Sequence, residues 1–397
     1  MVRHPGRRSM SFALVLAACG WLAGCSGKPV LGILLPTSGH ASNYGESIES
    51  GVRLALADAR TRNELPVGLE VIWTNTGSDP ARAAQELRTM VEEREVKMVL
   101  GGATSAEARA MIPVLDDLEI VCLSPSASAP GLAAESKFFY RIYPSDELEG
   151  DTAGRFLYDR LNQTKVVLYV GDPDYAEGIE PEFRKRFEET LGGKVTARID
   201  VTSDGWQEQS ASALASCDCN AVYIVGYAEE ILGVLRHLHE RGFTGRIVTT
   251  SAFYSSRVVL EAGDLADSVM FPLPPFDRTA ETEPVLSFVT RYMDTYQRAP
   301  DVFAAHGFDA MRMVLQVLRL AKPPDTTEIR RAFSFGVQEF MGVTGPILFD
   351  EYGDVKHYPK MFIVKDDQVL SYQRYMTIER ARIMREVQDL LLNDQGN

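Results

Sequence analysis

The chain has 397 residues, of which 45% are hydrophobic and 24% charged, and its formal net charge is −14. That length suits about two or three packed domains, with the composition of an ordinary globular protein. Its 41 Lys and Arg are scattered and outnumbered by 55 Asp and Glu, which argues against a nucleic-acid-binding surface.

In chain order, Arg3, Arg7 and Arg8 precede an apolar run from Phe12 to Leu22, closed by Leu22-Ala23-Gly24-Cys25. A basic start, a short apolar core and small residues before a cut mark an export signal. The run is too short to span a bilayer comfortably as a permanent anchor. Leu-Ala-Gly-Cys resembles the bacterial lipoprotein cleavage box, which implies cleavage before Cys25 and a lipid on that cysteine. Residues 1–24 are then signal peptide, and 25–29 the lipidated cysteine and a linker. Arg7-Arg8 fits either twin-arginine export or plain n-region charge. No later apolar segment is long enough to span a membrane, so a lipid is the chain's expected hold on one.

Four more cysteines complete the set of five. Cys19 leaves with the signal. Cys122 lies in an apolar run and reads as a small core residue. Cys217-Asp218-Cys219 is too close for an easy disulfide and lacks the second ligand pair of a zinc site. Redox or metal chemistry is not expected there.

Val30 to Leu35 reads as the first strand, followed by the turn Pro36-Thr37-Ser38-Gly39. Ile48, Val52, Ala55, Leu56 and Ala59 mark one face of a helix. Leu69 to Trp73 is the next strand, and Thr76 to Pro80 opens a helix through Val91. Two strands and two turns follow between Leu100 and Pro130. The apolar runs Lys97-Met98-Val99-Leu100 and Ile120-Val121-Cys122-Leu123 suit buried parallel strands. Each runs into a small-residue turn, Gly101-Gly102-Ala103-Thr104-Ser105 and Ser124-Pro125-Ser126-Ala127-Ser128-Ala129-Pro130. Between them Thr104 and Glu107 have capping-box spacing for a helix. Hydroxyls and free N–H groups would gather at adjacent strand ends, where open α/β sheets bind ligands and a helix N-terminus favours an anion. One such turn alone is as well explained by helix capping. Two on adjacent strands point to a site.

The alternation pauses at Phe139 to Pro144, where Asp146 and Glu149 have capping-box spacing for a new helix. It resumes with a strand at Val166 to Val170, the turn Gly171 to Tyr175, a helix from about Pro181 to Leu191 and an extended run from Lys194 to Val201. A helix over Gln207 to Ala215, a strand over Ala221 to Tyr227, a helix over Ile231 to Arg241 and a strand over Arg246 to Thr250 follow. A second break falls at Phe271-Pro272-Leu273-Pro274-Pro275, which no helix or central strand tolerates. Helices lie around Val285 to Tyr296 and Ala304 to Ala321. Gly345 to Asp350 and Lys360 to Val364 read as a closing strand pair. Ile378, Ala381, Met384, Val387 and Leu391 give the last segment an amphipathic helical pattern. The fold class is α/β, built from βαβα units in doubly wound parallel sheets.

With these residues in view, the chain resembles a type I periplasmic solute-binding protein of the leucine/isoleucine/valine-binding branch that serves ABC transporters. The resemblance runs from about Val30 to Leu370. It rests on Gly32-Ile33-Leu34-Leu35-Pro36 with Ser38-Gly39 and Tyr44-Gly45, on Ser78-Asp79-Pro80, on Gly101-Gly102 with Thr104-Ser105, and on Ser124 to Pro130. Tyr140-Arg141 with Pro144-Ser145-Asp146, Asp174-Tyr175 with Gly178, Val225-Gly226-Tyr227, Gly307-Phe308-Asp309-Ala310 and Gly345 to Asp350 complete it. The family implies two three-layer lobes joined by three crossings that close on a ligand like a hinge. The breaks near Tyr143 and Phe271 fall where two crossings are expected, and Gly345-Pro346 marks the third. Lobe one is then 30–143 plus 273–345, lobe two 144–272 plus 346–376, and 377–397 the C-terminal helix.

The resemblance also implies roles. Ser105 and Ser128 match hydroxyls that hold an amino-acid ligand's carboxylate, which hydroxyls and N–H groups can do without a buried cation. Ser126 matches a position whose backbone contacts the ligand. Tyr175 and Tyr227 match aromatic residues of the second lobe that close over it, and Tyr44 an aromatic position of the first. Ser38, Thr104, Ala127 and Phe253 complete the candidate ligand-binding positions. One departure stands out. The amino-acid-binding branch pairs the ligand's ammonium with an acid just after the strand equivalent to Ile247–Thr250, but here the chain reads Ser251-Ala252-Phe253-Tyr254. Since a buried ammonium needs a partner, either Asp172 or Glu229 substitutes, or the ligand has no α-amino group. The family's first-lobe disulfide is also missing, its positions being Ser78 and Thr104.

The expected function is a lipid-anchored periplasmic receptor that captures a small carboxylate-bearing solute and delivers it to an ABC permease. A ligand-sensing or regulatory lipoprotein of the same fold is the alternative. The sequence has no HExxH, no Gly-x-Ser-x-Gly elbow and no P-loop. His237 and His239, two apart, do not share a helix face. An enzyme is therefore not expected, and no cofactor or metal is called for.

Overall fold

The computed structural model describes residue 1 and residues 27–254, 256–281 and 283–394. Cys25 lies outside the described residues. Two separate sheets organise the chain. The first elements alternate as the apolar runs predict: β1 (Val30–Leu35), α1 (Ser42–Thr61), β2 (Glu70–Asn75), α2 (Pro80–Arg94), β3 (Met98–Gly101), α3 (Ser105–Leu118) and β4 (Val121–Ser124), with β5 (Phe139–Arg141) following. These strands form one parallel sheet in the order β2-β1-β3-β4-β5. The order reverses direction between β1 and β3, which leaves a crevice beyond their carboxyl ends.

The second sheet repeats the design. It is preceded by α4 (Asp146–Arg155) and contains β6 (Lys165–Val170), β7 (Lys194–Asp200), β8 (Ala221–Val225), β9 (Arg246–Thr249) and β10 (Val269–Leu273). The connecting helices are α5 (Pro173–Arg184), α6 (Trp206–Ser216), α7 (Ala228–Glu240) and α8 (Ser256–Ala262). Side chains alternate sides along a strand, and β8 shows the consequence. Val222 and Ile224 enter one core cluster, while Ala221, Tyr223 and Val225 enter the other on the opposite face. This is why the strand reads as an unbroken apolar run.

Three helices then return to the first lobe: α9 (Val285–Tyr296), α10 (Val302–Leu320) and α11 (Thr326–Arg331). α10 packs on α1 with almost no side chain between them. A Cβ at Gly51 would lie 2.0 Å from the Ala304 carbonyl oxygen, and one at Gly307 would lie 2.4 Å from that of Ile48. A hairpin of β11 (Phe340–Gly342) and β12 (Gly345–Ile347) follows. β13 (Lys360–Lys365) and β14 (Gln368–Ser371) then join the second sheet antiparallel, in the order β14-β13-β10-β9-β8-β6-β7, and α12 (Tyr372–Asp394) ends the described chain.

Several sequence expectations differ here. Gly345–Ile347 pairs with Phe340–Gly342, not with the strand at Lys360. Ile347, Phe349 and Val355 pack into the first lobe's core, so the third crossing follows Val355 instead of falling at 345. A closing pair and a β-hairpin have the same local pattern, and only the core each joins separates them. The helix expected at Pro181 starts at Pro173, because Asp172 caps it. The C-terminal helix starts at Tyr372, not 377. Cys217 and Cys219 form a disulfide, contrary to expectation. The chain leaves α6 in extended conformation at Cys217, and the two Cα atoms stand 5.2 Å apart, within bridging range. Cys122 is a buried free thiol, as its apolar run suggests. Among the described residues no helix is long and apolar enough to cross a membrane.

Candidate ligand cleft

The carboxyl ends of both parallel sheets face one interlobe cleft. On the first lobe, Thr104 caps α3 as its spacing predicts: its hydroxyl accepts the Glu107 N–H at 3.2 Å, and Glu107 accepts the Thr104 N–H in return. The serine turn after β4 folds back onto this helix start. Ser105 Oγ accepts the N–H groups of Ser128 and Ala129 at 3.2 and 3.0 Å. Ser126 Oγ donates to the Ala103 carbonyl at 2.6 Å, and Ser124 Oγ donates to that of Gly102 at 2.8 Å. The two turns are thus one hydrogen-bonded unit. Ala127 is fully buried beneath it.

Arg141, at the end of β5, clamps this unit from below. It is 0% exposed, donates to the carbonyls of Ala129 and Ala127 at 2.7 and 3.3 Å, and is ion-paired with Asp354. Its charge is therefore spent inside the protein.

The second wall comes from α4 and the strand ends of the other sheet. Asp146 and Glu149 do not form the expected capping box, since α4 starts after Ser145 and Asp146 is already its first residue. Asp146 instead accepts the Ser128 hydroxyl at 3.2 Å, while its N–H donates to the Ser128 carbonyl at 2.9 Å. Glu149 accepts the N–H and hydroxyl of Ser251, the latter at 2.8 Å. Glu149 is only 5% exposed, and among the described residues neither acid has an ion-pair partner. Burial pushes the Glu149 carboxyl up to about 8, helped by Asp146 and opposed by the Ser251 bonds. Burial raises Asp146 to about 7, against the Ser128 hydroxyl and the Arg141 charge.

Aromatic residues surround the two acids. Tyr175 and Tyr227 stack with ring centroids 4.6 Å apart. Tyr175's hydroxyl reaches the side chains of Thr250 and Ser251, and burial with the Glu149 and Asp146 charges pushes it well above the ordinary phenol range. Tyr223 is shifted the same way by the same causes, and its buried hydroxyl has no protein partner. Tyr227 and Tyr44 are about half exposed, at 52% and 47%. Tyr44 packs edge-on against Phe303 of α10 at 4.7 Å.

The other expected positions are placed differently. Phe253 is fully buried in the second lobe's core, its ring 5.4 Å from Phe271. Ser38 is exposed at the end of the first turn and accepts from Asn75 at 2.8 Å. Asp172 caps α5 through the Tyr175 N–H at 2.9 Å, and Glu229 is exposed. Ser78, which with Thr104 replaces the family's disulfide, donates its hydroxyl to the Ser38 carbonyl at 2.7 Å.

A sequence match over most of the chain decides the family. The model described as "Periplasmic binding protein" matches residues 29–367. The chain belongs to that family. The leucine-, isoleucine-, valine-, threonine- and alanine-binding protein of Pseudomonas aeruginosa is 24% identical over 365 residues, 90% of this chain and 95% of its own. The branched-chain amino acid transporter substrate-binding protein of Streptococcus pneumoniae, solved with isoleucine, is 25% identical with a TM-score of 0.73, over 87% of this chain and 98% of its own. A solute-binding protein of R. palustris solved with benzoate shares the fold at 19% identity and a TM-score of 0.70, over 87% of this chain and 96% of its own.

In this periplasmic binding protein, sequence reasoning missed Asp146 and Glu149 as cleft residues. The Pro144-Ser145-Asp146 match was the available signal, but capping spacing offered a sufficient local explanation. Among the described residues no group of three or more His, Cys, Asp or Glu is arranged to hold a metal ion.

Proposed function

We propose that this chain is an extracytoplasmic receptor, held to a bacterial membrane by a lipid on Cys25, that closes on a small α-amino acid and delivers it to an ABC permease. One observation carries the reading. The Ser105–Ser128 turn meets two acids with no ion-pair partner among the described residues: Asp146, which accepts the Ser128 hydroxyl, and Glu149, which accepts that of Ser251. A ligand carboxylate suits the first group, by charge-assisted bonds from hydroxyls and amides. A ligand ammonium suits the second, replacing the acid missing at Ser251–Phe253. A carboxylate without an ammonium would meet Asp146 beside Ser128, and like charges at that range repel. The stacked Tyr175 and Tyr227 and the opposed Tyr44 supply aromatic walls.

Isothermal titration against amino acids, their amides and their deaminated acids tests this directly. Amino acids are expected to bind, and both truncated series to bind weakly. Equal binding of a deaminated acid, or no binding by any amino acid, overturns it. Ser105→Ala and Ser128→Ala should each weaken binding by roughly 1–3 kcal/mol, the usual worth of a hydrogen bond to a charged group. For the anchor, palmitate labelling of the chain should disappear in Cys25→Ser. Label retained in that variant removes the lipid assignment.

A further inference from the structure

Gly27 lies two positions after Cys25. Two residues reach about 7 Å at full extension, so a lipid on Cys25 brings the bilayer to the surface around Gly27. That surface lies opposite the cleft. β1 runs from Val30 to Leu35 with its carboxyl end at the cleft, so Gly27, Lys28 and Pro29 enter at the far pole of the first lobe. The connection between α1 and β2 lies against them. Glu70 donates its N–H to the Pro29 carbonyl at 3.0 Å, and a Cβ at Gly68 would stand 3.6 Å from Lys28 Cγ. The end of α10 adjoins this connection, with Arg319 donating to the Glu64 carbonyl at 3.1 Å.

Two features of the pole suit an anionic bilayer. The first is an apolar tip. Leu69 donates its N–H to the Pro66 carbonyl at 3.1 Å, closing a tight turn whose third residue, Gly68, has φ +73°. Val67 projects from this turn and is 96% exposed, and Leu320, beside Arg319, is 50% exposed. The second feature is charge. Across segments 27–29, 60–70 and 319–322, Lys28, Arg60, Arg62, Arg319 and Lys322 are exposed, and none makes an ion pair among the described residues. The acids on the same segments are Glu64 and Glu70. Bases therefore lead here, although acids outnumber them 55 to 41 in the chain. Arg60, Arg62 and Arg319 lie at helix C-termini, where the helix dipole alone favours a cation. That does not account for Lys28, nor for an apolar residue held out in water beside it.

We propose that this pole rests on the membrane that holds the lipid, with Val67 entering the headgroup boundary and the five cations meeting anionic phospholipid. The proposal rests on the lipid at Cys25. It adds an electrostatic component to that anchor, and it turns the cleft away from the membrane. An environment-sensitive nitrobenzoxadiazole dye tests it on the full lipidated chain purified from membranes. Val67→Cys offers one new exposed thiol, since Cys122 is buried and Cys217 is bonded to Cys219. Asp204→Cys, on an exposed turn between β7 and α6, is the control. In vesicles of equal parts phosphatidylcholine and phosphatidylglycerol, dye at 67 should shift to the blue and be quenched by spin-labelled lipid, and dye at 204 should not. Arg60→Glu with Arg62→Glu, or high salt, should lower the ratio of bilayer-bound to water-exposed dye at least about tenfold. Lys28→Glu with Lys322→Glu repeats the test away from α1, and circular dichroism checks the fold of each variant. Water-like emission at 67 with palmitate label present overturns this proposal alone, whereas absent label removes the anchor and this face with it. A shift of equal size on phosphatidylcholine alone, one indifferent to charge reversal, or one that needs no vesicles and so marks a protein partner, also overturns it.

Discussion

Raising the pH from 6 to 8 perturbs the cleft acids most directly. Glu149 titrates at about 8 and Asp146 at about 7 in the unliganded protein. A carboxyl with a pKa near 8 is ionised in about 1% of molecules at pH 6 and about half at pH 8. A ligand whose ammonium requires that charge therefore binds about fiftyfold more tightly at pH 8. If Asp146 is the partner, the same arithmetic gives about tenfold. Titration in two buffers of different ionisation enthalpy should show about one proton released per ligand at pH 6. Glu149→Gln should flatten the dependence where Glu149 is the partner, and Asp146→Asn where Asp146 is. A deaminated acid should show the opposite slope. Affinity for an amino acid that is constant, or falls, between pH 6 and 8 refutes the reasoning. The free protein carries a matching stability signature. Both acids hold protons more tightly folded than unfolded, having been raised from ordinary values of 4.5 and 3.8. Their cost is absent below those ordinary values, grows as pH rises, and is complete above about 8. Urea midpoints should thus fall between pH 4 and 8 through this pair, and less steeply in Glu149→Gln.

Three further outcomes follow from packing. Arg141→Met removes two carbonyl bonds and the ion pair to Asp354, which is 23% exposed. It should cost about 3–5 kcal/mol by chemical denaturation, as for a broken buried pair, and a loss under about 1 kcal/mol would deny Arg141 its clamping role. Gly178→Leu should hold the lobes apart, because a Cβ there already lies 2.8 Å from Pro130 Cγ. Ligand affinity should drop while the unfolding midpoint of the free protein holds, and unchanged affinity would count against closure at that contact. Gly307→Val should force α10 off α1 and destabilise the chain by more than about 3 kcal/mol, a backbone clash at 2.4 Å having no side chain to yield; a midpoint near that of the parent would contradict the close packing.

Much of the fold was legible because its causes are local. A run such as Ala221–Val225 names a strand buried on both faces, and Thr104 with Glu107 names a helix start. Both signals lie within a few residues of the structure they produce. The break near Tyr143 also came from local facts, but the second was misplaced: Pro272, expected to end a central strand, lies within β10, third of the seven strands, and only Pro274 and Pro275 follow its end. What the sequence could not disclose depends on contacts between distant segments. Glu149 turns to Ser251, 102 positions away, and Arg141 to Asp354, 213 positions away. The hairpin at Gly345 joins one core instead of the other for the same reason. The charge of a cleft is set in this way: spacing on α4 offered Asp146 and Glu149 a capping role, and only burial against the opposite lobe's serine turn and the end of β9 makes them the uncompensated acids of the site. Local pattern thus determined which segments are strands and helices. Tertiary packing decided which polar groups lose water together, and desolvation, a property of the assembled lobes, gives those groups their chemistry.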